Sequence, residues 1–340
     1  MAGHNGLLFN LLIIVILLFF ILDIFLGSSV IRGGDVLRAI LGHSDQGTET
    51  IIMKFRLPKA ITALIVGAAL SLAGLQMQTI FRNPMAGPYV LGVSSGASLG
   101  VAIVILGFST GLANSLNGLG NWILVVSAWI GAGAVMLLIM FISSRVNDIL
   151  AILVIGIMLA SGISAVVSIM QYFSSETLLK SYVIWTMGSL GNLTLSQLKV
   201  LAVSVLAGII MSILSLKMLN AMLIGEAYAK SIGLNIRLSR TIIFACTSIM
   251  AGSVTAFCGP IGFIGIAVPH IARNLFKTSD HAILVPGAII IGSIAMLASD
   301  IISQLPGTGS VLPVNSITSL IGIPVVVWVI LRSGKNSLST

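Results

Sequence analysis

Ten apolar runs, most of them long enough to cross a lipid bilayer, dominate the sequence. They fall at about 7–27, 58–80, 90–107, 121–142, 148–170, 195–216, 240–257, 260–273, 282–304 and 311–332. A crossing helix needs about 20 predominantly apolar residues, because the hydrocarbon layer is ~30 Å thick and the helix rises ~1.5 Å per residue. Hydrophobic residues make up 57% of the 340 and charged residues 8%, against about 25% charged in a soluble domain. So few charges cannot keep a surface dispersed in water, so lipid must cover most of the exterior. The expected fold is all-α and polytopic, with about ten transmembrane helices. It forms one membrane domain over 1–340, and 217–240 is a loop within it. The run at 260–273 is short and bounded by Pro260 and Pro269. It reads as a broken or half helix, which is tolerated only where protein buries it. Met1 to Gly6 carry no Lys or Arg, and the run after them exceeds a signal-peptide core, so the first run reads as a retained helix.

The net charge of +8 does not point to nucleic acid, because the bases sit between apolar runs. With alternating crossings, one side holds ten bases: Arg82, Arg145, Lys217, Lys230, Arg237, Arg240, Arg273, Lys277, Arg332 and Lys335. The other holds seven: Arg32, Arg38, Lys54, Arg56, Lys59, Lys180 and Lys199. The bias places both termini in the cytoplasm. Cys246 and Cys258 lie in or beside one apolar run and form no CxxC pair, so they read as buried and unpaired.

Two connections stand apart. The outer one, Ser28 to Phe55, mixes Asp35, Asp45 and Glu49 with Arg32, Arg38 and Lys54, and is long enough to dock something outside. The inner one, Lys217 to Arg240, reads as a short helix in which Glu226 and Lys230 form an i,i+4 pair and Gly233 supplies the stop. It is either an ordinary solvated connector or a handle for a cytoplasmic partner. A faint repeat joins the halves. Arg56-Leu57-Pro58-Lys59 opens the second run, and Arg237-Leu238-Ser239-Arg240 the seventh. Gly87-Pro88 and Gly259-Pro260 follow them. Five crossings lie between, which would give the halves opposite topology.

Several chemistries are excluded. No GxxxxGK[ST] phosphate loop occurs, since Gly334-Lys335 is followed by Asn336, so nucleotide is not hydrolysed by that route. There is no HExxH, and His4, His43, His270 and His281 show no metal-ligand spacing. The runs are nearly free of charge. Asp23 and Asp300 are the exceptions, and both fall near outer ends where water or headgroups would be in reach. Proton-coupled carriers show buried acid or histidine relays; without one, a pore energised from elsewhere fits better than an ion-coupled secondary carrier or an intramembrane enzyme. Small residues cluster in the runs: Gly67, Ala68, Ala69 and Gly74; Gly92, Gly96 and Gly100; Gly131 and Gly133. They serve close helix packing or line a path.

Taken in order, a set of motifs resembles the FecCD-type permeases. The set comprises Arg56-Leu57-Pro58-Lys59, Phe81-Arg82-Asn83-Pro84-Met85-Ala86 and Leu91-Gly92-Val93-Ser94-Ser95-Gly96-Ala97. It continues with Gly225-Glu226-Ala227-Tyr228-Ala229-Lys230-Ser231-Ile232-Gly233-Leu234, Gly259-Pro260-Ile261-Gly262-Phe263-Ile264-Gly265, Val268-Pro269-His270-Ile271-Ala272-Arg273 and Leu320-Ile321-Gly322-Ile323-Pro324. These permeases are the membrane subunits of importers for iron-siderophores, haem and cobalamin. The resemblance implies a non-catalytic transport subunit of the bacterial cytoplasmic (inner) membrane with the type II ABC importer fold. It pairs with a second permease copy, or with a paralogue. Two ATPase subunits carry the ATP and Mg, and a periplasmic or lipid-anchored substrate-binding protein delivers the solute. No cofactor, metal or catalytic residue is expected in this chain.

The resemblance also assigns roles. Gly225, Glu226, Ala227, Tyr228, Ala229, Lys230 and Gly233 match the segment that seats in the ATPase. Arg56 and Lys59 occupy the motif whose bases dock the binding protein, or they only snorkel to the interface. Lys at the second position keeps the charge and loses the bidentate fork. After Ala298-Ser299-Asp300, Gln304 stands where the family has an arginine, which puts the docking contacts in question. Asn83 and Met85, with Ser143 and Ser144 as their counterpart, resemble a cytoplasmic gate; a plain helix-linking turn is the other reading. His270 reads as a packing residue.

Overall fold

The computed structural model describes residues 2–107, 122–146, 148–304 and 311–337, and every regular element among them is helical. In chain order these are α1 (Ala2–Phe25), α2 (Gly33–Ile40), α3 (Gln46–Thr50), a π-helical segment (Ile51–Arg56), α4 (Leu57–Ile80), α5 (Val93–Leu106), α6 (Trp122–Arg145), α7 (Ile149–Tyr172), α8 (Glu176–Thr186), α9 (Leu195–Leu214), α10 (Leu216–Ile224), α11 (Glu226–Ser231), α12 (Ile236–Cys258), α13 (Ile264–Phe276), α14 (His281–Ser303) and α15 (Val314–Ser337). Each of the ten apolar runs meets one helix. Seven described helical stretches are long and apolar enough to cross a membrane. The other three fall short: α5 has 14 residues, α13 has 13, and the apolar part of α15 is Val314–Trp328.

The differences from the sequence reading have physical causes. The second span begins earlier than residue 58, because α3, the π-helical segment and α4 make one helical stretch of 35 residues, Gln46–Ile80. Asp45 starts it by accepting the Thr48 backbone N–H at 2.9 Å, a side-chain cap that holds this carboxyl below its usual range. Pro269 does not bound α13 but lies inside it; a helix packed in protein tolerates the missing donor. At ~1.5 Å per residue α13 is ~20 Å long, short of a full crossing. α8 and α10 were not anticipated.

The chain divides into two units. The first comprises residues 1–72, 189–202 and 261–340. In it α14 packs against α1, α13 and α15. α4 approaches α14 so closely that a Cβ on Gly67 would sit 2.2 Å from the Gly292 carbonyl oxygen. Ser71 Oγ donates to the Ala288 carbonyl at 2.8 Å, and Ser293 Oγ to the Leu64 carbonyl at 2.8 Å. Without a hydrophobic force between helices in lipid, such close backbone approach and interhelical hydrogen bonds carry the packing.

The second unit comprises residues 73–188 and 203–260. α5 and α6 meet through small residues. A Cβ on Gly96 would lie 2.4 Å from the Gly131 carbonyl oxygen, and one on Gly100 would lie 2.0 Å from that of Ser127. Gly133, by contrast, faces open space. The interior of this unit is tied by a buried polar network. Gln76 Nε2 donates to Ser212 Oγ at 2.8 Å and to Cys246 Sγ at 3.3 Å, while Thr247 Oγ1 donates to Gln76 Oε1 at 2.9 Å. All four side chains are buried, and both ends of the amide are satisfied, as a low-dielectric interior requires. Outside these contacts α1 and α7 show large aliphatic side chains, among them Leu7, Ile14, Val154 and Met158, as lipid-facing helices do.

Candidate functional site

The segment Gly225 to Gly233 is built as a separate short helix. Gly225 takes φ 147°, ψ 156°, a region open essentially to glycine alone, and this breaks α10 from α11. At the other end Gly233 has φ 86°. Its N–H donates to the Lys230 carbonyl at 3.0 Å, and that of Leu234 to the Ala229 carbonyl at 3.0 Å, the paired bonds of a Schellman stop. Ala229 is fully buried and anchors α11, while Ala227, Tyr228 and Lys230 are exposed. A cleft of ≈ 580 Å³ lies beside it, lined by Glu226, Ala227, Lys230, Asn235, Arg237 and Arg240 among others.

Glu226 is not paired with Lys230 as the i,i+4 spacing suggested. Its partner is Arg240, in the second turn of α12, a residue only 2% exposed. Arg240 Nε donates to Glu226 Oε1 at 2.9 Å, and Nη2 donates to Oε1 at 2.5 Å and to Oε2 at 2.7 Å. The Glu226 carboxylate goes to the buried guanidinium, whose fork matches its two oxygens, and leaves the surface ammonium of Lys230 to water. Sequence reasoning missed Arg240. The available signal was its place in the Arg-Leu-Ser-Arg tetrad, one turn into a span.

The four gate candidates occupy a connecting turn after α4 and the last helical turn of α6, which runs on to Arg145 and so keeps Ser143 and Ser144 inside the helix instead of in the turn that follows it. Asn83 Oδ1 accepts the Met85 backbone N–H at 2.9 Å, and its carbonyl accepts the Ala86 N–H at 3.1 Å, so the segment after α4 is a self-closed turn. Met85 is exposed. Arg82, just before it, has φ 46°, and its guanidinium lies beside Gly225, 3.5 Å from where a Cβ would stand. Ser143 is buried in the last turn of α6, and Ser144 Oγ donates to the Phe141 carbonyl at 2.7 Å.

Arg56 and Lys59 sit at one end of the first unit, and both are engaged within it. Arg56 is 7% exposed. Its Nη1 donates to the carbonyls of Ile24 and Phe25 at 3.0 and 2.9 Å, and its Nη2 to that of Ser29 at 2.6 Å. It therefore satisfies the carbonyls that the end of α1 leaves unpaired, where a cation also suits the helix dipole. Gly27 makes room for it, since a Cβ there would lie 2.6 Å from Nη2. Lys59 Nζ reaches Asp300 Oδ1 at 3.0 Å. Gln304 Nε2 donates to Asp23 Oδ1 and to Asp300 Oδ2, both at 3.0 Å.

Asp23 and Asp300 are 2% and 0% exposed, so they do not reach water or headgroups as expected from their place in the runs. Side chains from two helix ends serve them: Lys59 at the start of α4, and Gln304 at the end of α14. Beside this group a cavity of ≈ 400 Å³ is lined by Ser28, Ser29, Phe55, Arg56, Lys59, Asn192 and Gln304 among others.

Among the described residues the arrangement brings no nucleophile–base pair together; what it offers is conformational. It offers a short helix with an exposed face at one place and a shaped recess of mixed polar and apolar lining at another. Comparison with known proteins gives the same class. Residues 13–332 match the FecCD transport family. The vitamin B12 import system permease protein BtuC of Escherichia coli O6:H1 is 33% identical over 323 residues, spanning 95% of this chain and 94% of its own; that of Salmonella typhi is 34% identical over the same extent. A metal-chelate type ABC transporter solved in an inward-facing conformation superposes with a TM-score of 0.82 at 28% identity, over 96% of this chain and 99% of that one. With a family match along almost its whole length, relatives of a third identity and a shared fold, the chain belongs to the FecCD transport family, as a non-catalytic membrane permease subunit of an ATP-driven importer.

Proposed function

We propose that this permease translocates a metal chelate, with an iron-siderophore complex first, haem second and cobalamin third. Two copies enclose the pathway in the bacterial cytoplasmic membrane with both termini inside. Two ATPase subunits supply ATP and Mg chemistry, and a substrate-binding protein delivers the solute. The observation that carries this reading is α11. It is a six-residue helix fixed on its buried side by Ala229 and the Glu226–Arg240 pair, and it presents Ala227, Tyr228 and Lys230 outward. A rigid joint with an exposed face is what an external motor needs. The relatives named for vitamin B12 import keep cobalamin among the solutes.

Asn83, Met85, Ser143 and Ser144 form the inner gate in this reading, opened and closed by backbone turns rather than charges. Arg56 and Lys59 contribute to docking by shaping the outer surface. Each already holds an internal partner, so they fix the recess around Ser29, Asn192 and Gln304, and a binding-protein carboxylate would have to compete with those bonds.

The test is reconstitution of the permease with its ATPase and binding protein in liposomes, each chelate being offered in turn. One chelate should raise ATP hydrolysis and enter the vesicles only with ATP. Uptake by the permease alone under an ion gradient would establish a secondary carrier instead.

A further inference from the structure

α11 meets a partner only on its exposed face, so any displacement must leave through whatever grips its buried side. The Ala229 side chain packs there without a polar bond, and Arg240 is the polar grip. Besides the two oxygens of Glu226, it holds a third point: Nη1 donates to the Val146 carbonyl at 3.3 Å. Glu226 is the first residue of α11, Arg240 belongs to α12, and Val146 directly follows α6. One planar cation thus fastens three segments of the second unit. The guanidinium fork is stiff, so its contacts shift together. A buried arginine has little water to trade for its carboxylate, so the pair resists slipping. Val146 stands two residues after Ser144, which ties the cluster to one of the two gate turns.

We infer that Arg240 is a positioning residue that passes movement of the coupling helix to α12 and to the turn after α6, so that the ATPase stroke reaches Ser143 and Ser144 through this guanidinium. The inference rests on the proposed role of α11 as the ATPase seat.

The experiment uses the full chain assembled with its ATPase in lipid, as the parent and as Arg240→Lys, which keeps the charge and removes the fork. Hydrolysis and chelate uptake are measured in the same vesicles. The lysine variant should assemble and hydrolyse ATP within about twofold of the parent, while uptake per ATP falls at least tenfold. A merely structural role would lower yield and both activities together and leave that ratio unchanged. Arg240→Gln, which keeps a hydrogen-bond donor and removes both the charge and the fork, guards against failure of the lysine variant to fold and should lower uptake per ATP in the same way.

Hydrogen exchange supplies a readout independent of transport. On ATPase binding, α11 should gain protection in parent and variant alike, whereas exchange at residues 141–146 should respond in the parent only. Failure of α11 to gain protection would defeat the seat reading and this inference with it. A response at residues 141–146 that survives Arg240→Lys, or an unchanged uptake-to-hydrolysis ratio, would overturn the inference alone.

Discussion

Lys59 matters to the chain first as half of a buried pair. Asp300 is 0% exposed and receives Lys59 Nζ and Gln304 Nε2, each at 3.0 Å. Removing one partner of a buried pair leaves a charge without compensation, at a cost of about 3–5 kcal/mol, whereas replacing both with apolar groups is often neutral. Lys59→Met should therefore lower the melting temperature of the detergent-solubilised protein sharply, and Lys59→Met with Asp300→Leu should recover most of the loss. A double variant as unstable as the single would show that the pair is not what Lys59 contributes. The sequence marked Asp23 and Asp300 as the two anomalous charges within apolar runs but misread their surroundings. Position along a helix tells how deep a carboxylate lies; it does not tell which helix end stands beside it. The same gap hid Arg240 as the partner of Glu226. The i,i+4 rule sees only one helix, while the bond that forms joins two.

At the scale of the element, the small residues are legible because their cause is local. Gly67, Gly96, Gly100 and Gly131 each face a neighbouring backbone that a Cβ would strike, so the packing reading holds for them, while Gly133 meets nothing within 4 Å. Gly67→Val should force α4 away from the Gly292 carbonyl and lower stability by at least the about 1–3 kcal/mol typical of overpacking; Gly133→Ala should leave the melting temperature unchanged. Melting curves of the two variants side by side check this, and a neutral Gly67→Val would mean that the α4–α14 approach is not tight. Helix ends were less legible. Pro269 reads as a boundary because proline removes a donor, yet packed helices re-satisfy the freed carbonyl. α8 and α10 are absent from the sequence reading because both lie in segments it assigns to the connections between runs: α8 follows the polar Ser174-Ser175 break, and α10 starts at the edge of the Lys217 to Arg240 loop.

For the whole molecule, crossing parity can be read from the sequence and checked by contacts inside each unit. With ten alternating crossings, the end of the first, the start of the second and the end of the ninth share one side. In the first unit those ends meet through Arg56 with Ile24, Lys59 with Asp300 and Gln304 with Asp23. The connections after the second, fourth and sixth crossings share the other side. In the second unit Arg82, Val146 and Glu226 gather there around Gly225 and Arg240. One crossing more or fewer between any of these would part ends that touch. The consequence is a labelling experiment on the first unit alone. α14 has 23 residues, ~34 Å at ~1.5 Å per residue, long enough to carry its ends to opposite faces of the bilayer. Leu41, exposed in the connection from α1 to α4, belongs with the Asp300 end; Ser279, exposed before α14, belongs with the other. Cys246 and Cys258 are buried and should give little background. A membrane-impermeant maleimide should label Leu41→Cys from outside intact cells and Ser279→Cys only in inverted vesicles, on the side that parity assigns to both termini. Labelling of both positions from one side would remove α14 as a complete crossing, and the count of ten with it.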